Sequence, residues 1–154
     1  MNRGKPLDTL IELARKARDG AGKALAQERQ QSRQTAMQLD TLRQYRREYA
    51  SQMQIVLQGG TDAATLANYR DFLQSLDAAI ERAGQALEQQ EKRVDNRREH
   101  WRQEQRKLSS YDTLAERRAQ RERSSEQRRE MLQNDEFVTN LSARTRLQSQ
   151  QPDQ

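Results

Sequence analysis

Apolar residues in the second half of the chain recur at alternating spacings of three and four from Leu66 onward, a register that holds over about seven heptads. Such a 3.5-residue repeat keeps one apolar edge of a helix turned toward a partner helix and imposes a left-handed supercoil. We call these positions the seam. They are Leu66, Tyr69, Leu73, Leu76, Ile80, Ala83, Leu87, Gln90, Val94, Arg97, Trp101, Glu104, Leu108, Tyr111 and Ala115. The pattern predicts a long coiled-coil helix.

The first half of the chain carries a weaker seam of the same period. Its positions are Leu7, Ile11, Ala14, Arg18, Ala21, Leu25, Glu28, Ser32, Thr35, Leu39, Leu42, Arg46, Tyr49, Met53 and Val56. The middle of this seam, over residues 28–35, is polar, and the seam of the second half is also polar at Gln90 and Glu104. We therefore expect the two halves to pair with each other and to be weakly packed along these polar positions.

A glycine pair separates the two halves and predicts the turn of an antiparallel hairpin. Gly59-Gly60 ends one helix, and Thr61 or Asp62 can cap the next by accepting its free N–H groups. We predict helix 1 over about 7–58, a turn at 59–61 and helix 2 over about 62–140, in one domain spanning 1–141. Residue i should then face residue 119 − i, and the apolar register of helix 2 fails after Ala115, where helix 1 runs out.

Two predictions concern the rest of helix 2 and the chain end. Beyond the pairing region, helix 2 should project as a single helix of about 20–25 residues, on the order of 30–35 Å at 1.5 Å per residue. Residues 142–154 are mostly Ser, Gln, Arg and Thr with one Pro, so we expect a disordered tail.

Composition agrees with a thin seam and argues against a globular core. Hydrophobic residues make up 32% of the chain and charged residues 33%, against about 45–50% apolar residues in ordinary globular domains. The predicted fold class is therefore all-α, a two-helix antiparallel coiled-coil hairpin in which helix 2 is longer than helix 1.

The net charge of +5 is spread over a surface on which acids and arginines alternate. Two stretches are especially basic, 92–107 and 117–129. Three interpretations remain open: a solvated helix surface with i, i+4 ion pairs, contact with a protein that offers an acidic or polar socket, or a nucleic-acid-binding helix.

The residues offer little material for catalysis or for a cofactor. There is no Cys, and the one histidine, His100, lies outside the seam. No glycine-rich phosphate loop is present, and Trp101 is predicted to be a core residue because it lies on the seam. We expect a protein that is not an enzyme and uses no cofactor, metal or small-molecule substrate. Without an apolar run of about 20 residues or a secretory signal, we expect a cytoplasmic protein.

Two aromatic residues near the predicted turn stand beside the seam rather than on it. Tyr45 and Phe72 occupy flanking positions on one side of the hairpin, and Tyr45 should lie opposite about residue 74. Two exposed aromatics on one side of a coiled coil form a docking patch for a protein partner. The alternative is that they widen a weak core.

Six segments near the two ends of the chain together carry a resemblance to a known family. They are Pro6-Leu7-Asp8-Thr9-Leu10-Ile11-Glu12-Leu13-Ala14, Asp19-Gly20-Ala21, Leu25-Ala26, Leu114-Ala115-Glu116-Arg117-Arg118, Glu126-Gln127-Arg128-Arg129 and Asp135-Glu136. These segments resemble the FliJ family of coiled-coil proteins of the bacterial flagellar type III export apparatus. The resemblance covers almost the whole chain.

The resemblance implies a function. Members of this family look like the stalk of rotary ATPases: the free ends of the hairpin sit in the pore of the hexameric export ATPase and promote its assembly and activity. They also contact the cytoplasmic domain of the membrane export gate and bind export chaperones, so the protein would lie at the cytoplasmic face of the inner membrane. The partner-binding residues that the resemblance implies are Gln38, Leu42, Tyr45, Tyr49, Phe72, Leu76, Ala79 and Ala83. The equivalent stalk of a virulence-type secretion system remains an alternative.

Overall fold

A computed structural model describes residues 5–150 and contains two helices, α1 (Lys5–Gln58) and α2 (Ala63–Ser149). No strand occurs within residues 5–150. The predicted all-α fold with a longer second helix is confirmed. Pro6 stands in the first turn of α1, where its missing N–H removes no intrahelical hydrogen bond.

The connection between the helices depends on Gly60 and Asp62. Gly60 has a φ of 82°, in the left-handed region that only glycine enters at low cost, and its N–H donates to the carbonyl of Leu57 at 3.4 Å. Asp62 caps α2, because its Oδ1 accepts the backbone N–H of Thr65 at 2.8 Å. Hydrogen bonds from the side chain and from the backbone N–H of Thr65 lower the pKa of Asp62. Of the two caps predicted from the sequence, the structure uses Asp62.

The described residues form two compact units, Glu12–Leu108 and a second unit of residues 5–11 together with 109–150. Within Glu12–Leu108 the two helices pack antiparallel. Nε of Arg46 on α1 donates to Oδ1 of Asp77 on α2 at 2.9 Å, and this hydrogen bond raises the pKa of Arg46. Farther from the turn, Nε of Arg93 lies 3.6 Å from Oε2 of Glu28.

These contacts correct the predicted pairing. Residue i of α1 faces about residue 121 − i to 123 − i of α2 rather than 119 − i, since Glu28 pairs with Arg93 and Arg46 pairs with Asp77. The offset follows from the connection, because α1 ends at Gln58 and α2 begins only at Ala63.

The core of Glu12–Leu108 is the predicted seam. Its buried members are Ala14, Ala21, Leu25, Leu39, Leu76, Val94 and Leu108, each no more than 8% exposed. Every other seam position in this unit is half-buried except Arg97, which is exposed. Its neighbour Arg98 is half-buried instead and pairs with Asp95 at 3.4 Å. Partial burial of a long cationic side chain costs the least free energy where its charged group still reaches water and a carboxylate. This explains why Arg98, rather than Arg97, is half-buried.

Trp101 packs where α1 carries a glycine. A Cβ placed on Gly22 would lie 3.4 Å from both Cδ1 and Nε1 of the indole, and the indole is half-buried. The predicted core role of Trp101 agrees with this contact. Gly22 thus lies directly against the widest side chain of the seam.

The polar stretch of the seam is a layer without full hydrogen bonding. Oε2 of Glu28 and Oε1 of Gln90 are buried and accept no hydrogen bond, although the carboxylate of Glu28 keeps its ion pair with Arg93. Buried polar groups that lack a partner each cost about 1–3 kcal/mol. The layer predicted to be weak is therefore a weak point in the packing of this unit.

The second unit contains a short packed part and an exposed part. Leu7 is 6% exposed, and Ile11, Tyr111 and Ala115 are half-buried. From residue 116 to residue 150 every residue is exposed. We call residues 116–149 the C-terminal extension.

The helix continues through part of the segment that we expected to be disordered. α2 runs to Ser149 rather than to about 140, and residues 151–154 of the expected tail lie outside the described residues. The segment contains no Gly and no Pro before Pro152, so nothing in its backbone chemistry ends the helix. Its hydroxyls bond within the helix, as Thr145 Oγ1 does to the carbonyl of Leu141 at 2.8 Å.

Candidate protein-docking surface

Three aromatic rings cluster beside the turn in the unit Glu12–Leu108. The ring of Tyr49 lies between the rings of Tyr69 and Phe72, with centroid distances of 5.0 Å and 4.3 Å and interplanar angles of 46° and 43°. Tilted pairs at such distances contribute about 0.5–1.5 kcal/mol each beyond the burial of their area. The cluster therefore helps to hold α1 to α2 near the turn.

The ring of Tyr49 contacts Phe72. We expected Tyr45 to lie close to Phe72 instead. The shift of the pairing by about two residues places Tyr49 level with Phe72. Tyr45 is left 57% exposed and makes no ring contact with a described residue. Phe72 is 44% exposed and thus presents one part of its ring to the core and another to solvent.

The other predicted partner-binding residues fall into three levels of exposure. Gln38 is exposed, whereas Leu42, Ala79 and Ala83 are half-buried beside the seam. Leu76 is buried at 8% exposure, so it supports the patch from beneath and a partner does not reach it directly. The surface that a protein could touch consists of Gln38, Tyr45 and Phe72, flanked by the half-buried side chains. The structure does not test the binding itself.

An exposed methionine that the sequence analysis did not select lies next to this surface. Met37 is 69% exposed and lines a shallow groove together with Gln34, Gln38, Thr41 and Leu42. Its heptad position faces away from the seam, and we considered only positions that flank the seam. An exposed methionine beside other exposed apolar groups is the signal that could have identified it.

The described residues show no metal-binding or membrane-spanning feature. Within residues 5–150 no group of three or more His, Asp or Glu side chains could hold a metal ion. His100 is exposed. No helix in the described part of the chain is long and apolar enough to span a membrane.

The two basic stretches differ in how their charges are paired. In the first stretch, Arg93, Arg98, Arg106 and Lys107 each lie within 4.0 Å of a carboxylate. We expected similar i, i+4 pairs along residues 117–129. The structure shows none there for Arg117, Arg121 or Arg128. The first stretch is thus an ordinary solvated surface, and the second carries unpaired positive charge at Arg117, Arg121 and Arg128.

Comparison with known proteins agrees with this architecture. Over 95% of this chain and 94% of the other, the fold is similar to the solved structure of a YscO homolog from Chlamydia trachomatis, with a TM-score of 0.64 and 13% identity. That likeness concerns the fold alone.

Sequence comparison identifies the family. The chain is 31% identical over 138 residues to a flagellar FliJ protein of Salmonella typhi and 30% identical over 138 residues to the flagellar FliJ protein of Escherichia coli. In both cases the match covers 90% of this chain and 94% of the relative. The family model described as "Flagellar FliJ protein" matches residues 3–147. A match of this extent, on a chain with two coiled-coil helices, shows that the protein belongs to the flagellar FliJ family.

Proposed function

We propose that the chain is the stalk and adaptor of flagellar type III protein export. It inserts the C-terminal extension and the start of α1 into the ring of the hexameric export ATPase, and it promotes the assembly and activity of that ring. It also links the ATPase to the cytoplasmic domain of the membrane export gate and to export chaperones. It performs no catalysis itself and acts at the cytoplasmic face of the inner membrane through these partners.

The observation that carries the proposal is the exposure of the C-terminal extension. Every residue from 116 to 149 is exposed, including large apolar side chains such as Met131 at 66% and Phe137 at 64%. A helix without tertiary packing gains little stability from its own backbone, and exposed apolar residues in such a helix mark a contact site. A ring that encloses a single helix would cover all sides of it at once.

The aromatic patch supports a separate docking function. Tyr45 on α1 and Phe72 on α2 are both exposed on the hairpin unit, and aromatic residues dominate the energetics of protein interfaces. The proposal assigns this patch to the export gate and to export chaperones. The two relatives are both named as flagellar proteins, which favours the flagellar system over a virulence-type system.

The stalk role is tested by measuring ATP hydrolysis. The full-length chain, added to the purified export ATPase of the same organism, should raise its turnover and increase the fraction of hexamer seen by sedimentation. A coiled-coil protein of similar size and charge from another system serves as the control. An ATPase that hydrolyses ATP at the same rate with and without the chain would remove the basis for the stalk role.

The docking role is tested with a pair of equally exposed residues. Tyr45→Ala should weaken binding of the gate's cytoplasmic domain by roughly tenfold, the effect of removing about 1.4 kcal/mol. Leu13→Ala is the matched control, because Leu13 is also 57% exposed and lies on the same helix, far from the patch. Equal affinities of the two variants would refute the assignment. Helical content should be unchanged in both, because neither side chain is part of the core.

A further inference from the structure

Three arginines and three glutamates of the C-terminal extension lie on opposite sides of the helix. At 100° per residue, Arg117, Arg121 and Arg128 fall within about 40° of one another. Glu122 and Glu126, followed by Glu130 on the same row, are centred about 160° away from them. We call the first set the arginine row and the second the glutamate row. The other arginines of this stretch, Arg118, Arg123 and Arg129, lie between the two rows.

The arginine row has no internal partner. None of Arg117, Arg121 and Arg128 has an acidic residue three or four positions away on either side, which are the only spacings that bring side chains together on a helix. Accordingly, their guanidinium groups form no ion pair or hydrogen bond with any residue of the described chain. Off-row arginines do have such neighbours: Glu126 lies three positions from both Arg123 and Arg129.

Farther along the helix the same side carries two apolar residues and one acid. Met131 follows Arg117 by two heptads, and Val138 follows Met131 by one more. Asp135 follows Arg128 by one heptad. The exposed fractions of Met131 and Val138 are 66% and 59%. We call the arginine row together with Met131 and Val138 the extension face.

The extension face is not a continuation of the packed face of the same unit. The half-buried residues there are Tyr111 and Ala115, and their heptad positions continue as Arg118, Glu122 and later polar residues. A second α-helix packed on that seam would leave the extension face uncovered. Its occupant must be another surface.

We infer that the extension face binds a protein wall that carries carboxylates opposite Arg117, Arg121 and Arg128 and an apolar patch opposite Met131 and Val138. This inference rests on the proposed function, in which the wall belongs to the pore of the export ATPase. The extension is then held in one rotational orientation, with its arginine row toward the acidic side of the pore. Bidentate guanidinium–carboxylate pairs supply the directionality of this contact.

Charge complementarity selects a protein over a nucleic acid as the occupant. Phosphates flank a helix on both sides when it lies in a groove of duplex DNA, and the glutamate row would meet them unfavourably. The apolar residues of the face, Met131 and Val138, would also have no counterpart along a phosphate backbone. An acidic protein surface with an apolar neighbour satisfies both parts of the face.

The test compares two triple variants that change the net charge equally. Arg117→Glu/Arg121→Glu/Arg128→Glu reverses the arginine row, and Arg123→Glu/Arg129→Glu/Arg144→Glu reverses arginines of the same extension that lie off the row. The full-length row variant should need at least tenfold more protein for half-maximal stimulation of the export ATPase. The control variant should stay within about twofold of the wild type. Glutamate is a good helix former, so circular dichroism should show equal helicity.

Each other outcome has a defined meaning. Equal losses of stimulation in the two variants would show that only the net charge of the extension matters. No loss in either variant would show that the extension face makes no contact with the ATPase. Both results overturn the inference while the stalk role stands. An unmodified chain that fails to stimulate the ATPase overturns the stalk role and the inference together. If only the row variant loses salt-sensitive binding to short duplex DNA, or loses self-association in sedimentation, the occupant is nucleic acid or a second copy. Met131→Asp/Val138→Asp should reproduce the loss without changing the charge of the row.

Discussion

Gln90 lies on the seam of α2, and its side-chain oxygen is buried without a hydrogen-bond donor. Gln90→Leu removes this group and its cost, which is about 1–3 kcal/mol for a buried polar atom without a partner. The leucine adds part of the roughly 1.5–3 kcal/mol that a fully buried leucine contributes, since the position is only half-buried. Lost hydration of the part of the amide that is not buried offsets some of the gain. We expect the variant to be more stable by about 2 kcal/mol.

The measurement is urea unfolding followed by far-ultraviolet circular dichroism. The midpoint should rise while the slope with denaturant stays the same, because the exposed area on unfolding is nearly unchanged. In thermal unfolding the same gain corresponds to an increase in Tm of about 4–8 °C for a chain of this length. Gln89→Leu is the matched control, since Gln89 is the adjacent residue and is exposed. A lower midpoint for Gln90→Leu, or equal midpoints for the two variants, would refute the account of the polar layer.

Three further predictions concern the backbone, the cap and the extension. Gly60→Ala should lower the free energy of unfolding in urea by about 1–2 kcal/mol because of its positive φ, whereas Gly20→Ala, in open space within α1, should raise it by about 1 kcal/mol. Asp62→Ala should destabilise the protein at neutral pH; because the folded-state pKa of Asp62 is lowered, this difference should shrink as pH falls through that pKa, as unfolding at a series of pH values will show. Backbone amides of residues 116–149 should exchange hydrogen faster than those around Val94, which mass spectrometry of deuterated peptides can resolve.

Phe72 belongs to the core and to the candidate docking patch at once. Its contact with Tyr49 contributes to packing of the hairpin unit, while 44% of its surface remains exposed. A substitution of Phe72 therefore changes stability and binding together, whereas a substitution of Tyr45 changes binding alone. For this reason Tyr45 is the better probe of the patch.

Much of the fold was predictable because the buried positions of a coiled coil recur with a short period along the sequence. Spacings of three and four between apolar residues identify which side of each helix is buried, and the prediction was wrong within Glu12–Leu108 only at Arg97. The glycine pair and the cap at Asp62 located the turn, since both depend on local backbone chemistry. The end of α2 was placed too early because composition says little about whether an exposed helix continues.

The sequence by itself determined the seam, the turn and the family, because each depends on residues near one another in the chain. The tertiary structure decided how far one helix is shifted along the other, since that shift depends on where α1 ends and α2 begins. The shift in turn places Tyr49 against Phe72 and leaves Tyr45 exposed. Helical geometry, rather than the order of residues along the chain, also placed Arg117, Arg121 and Arg128 on the side of the extension opposite Glu122, Glu126 and Glu130.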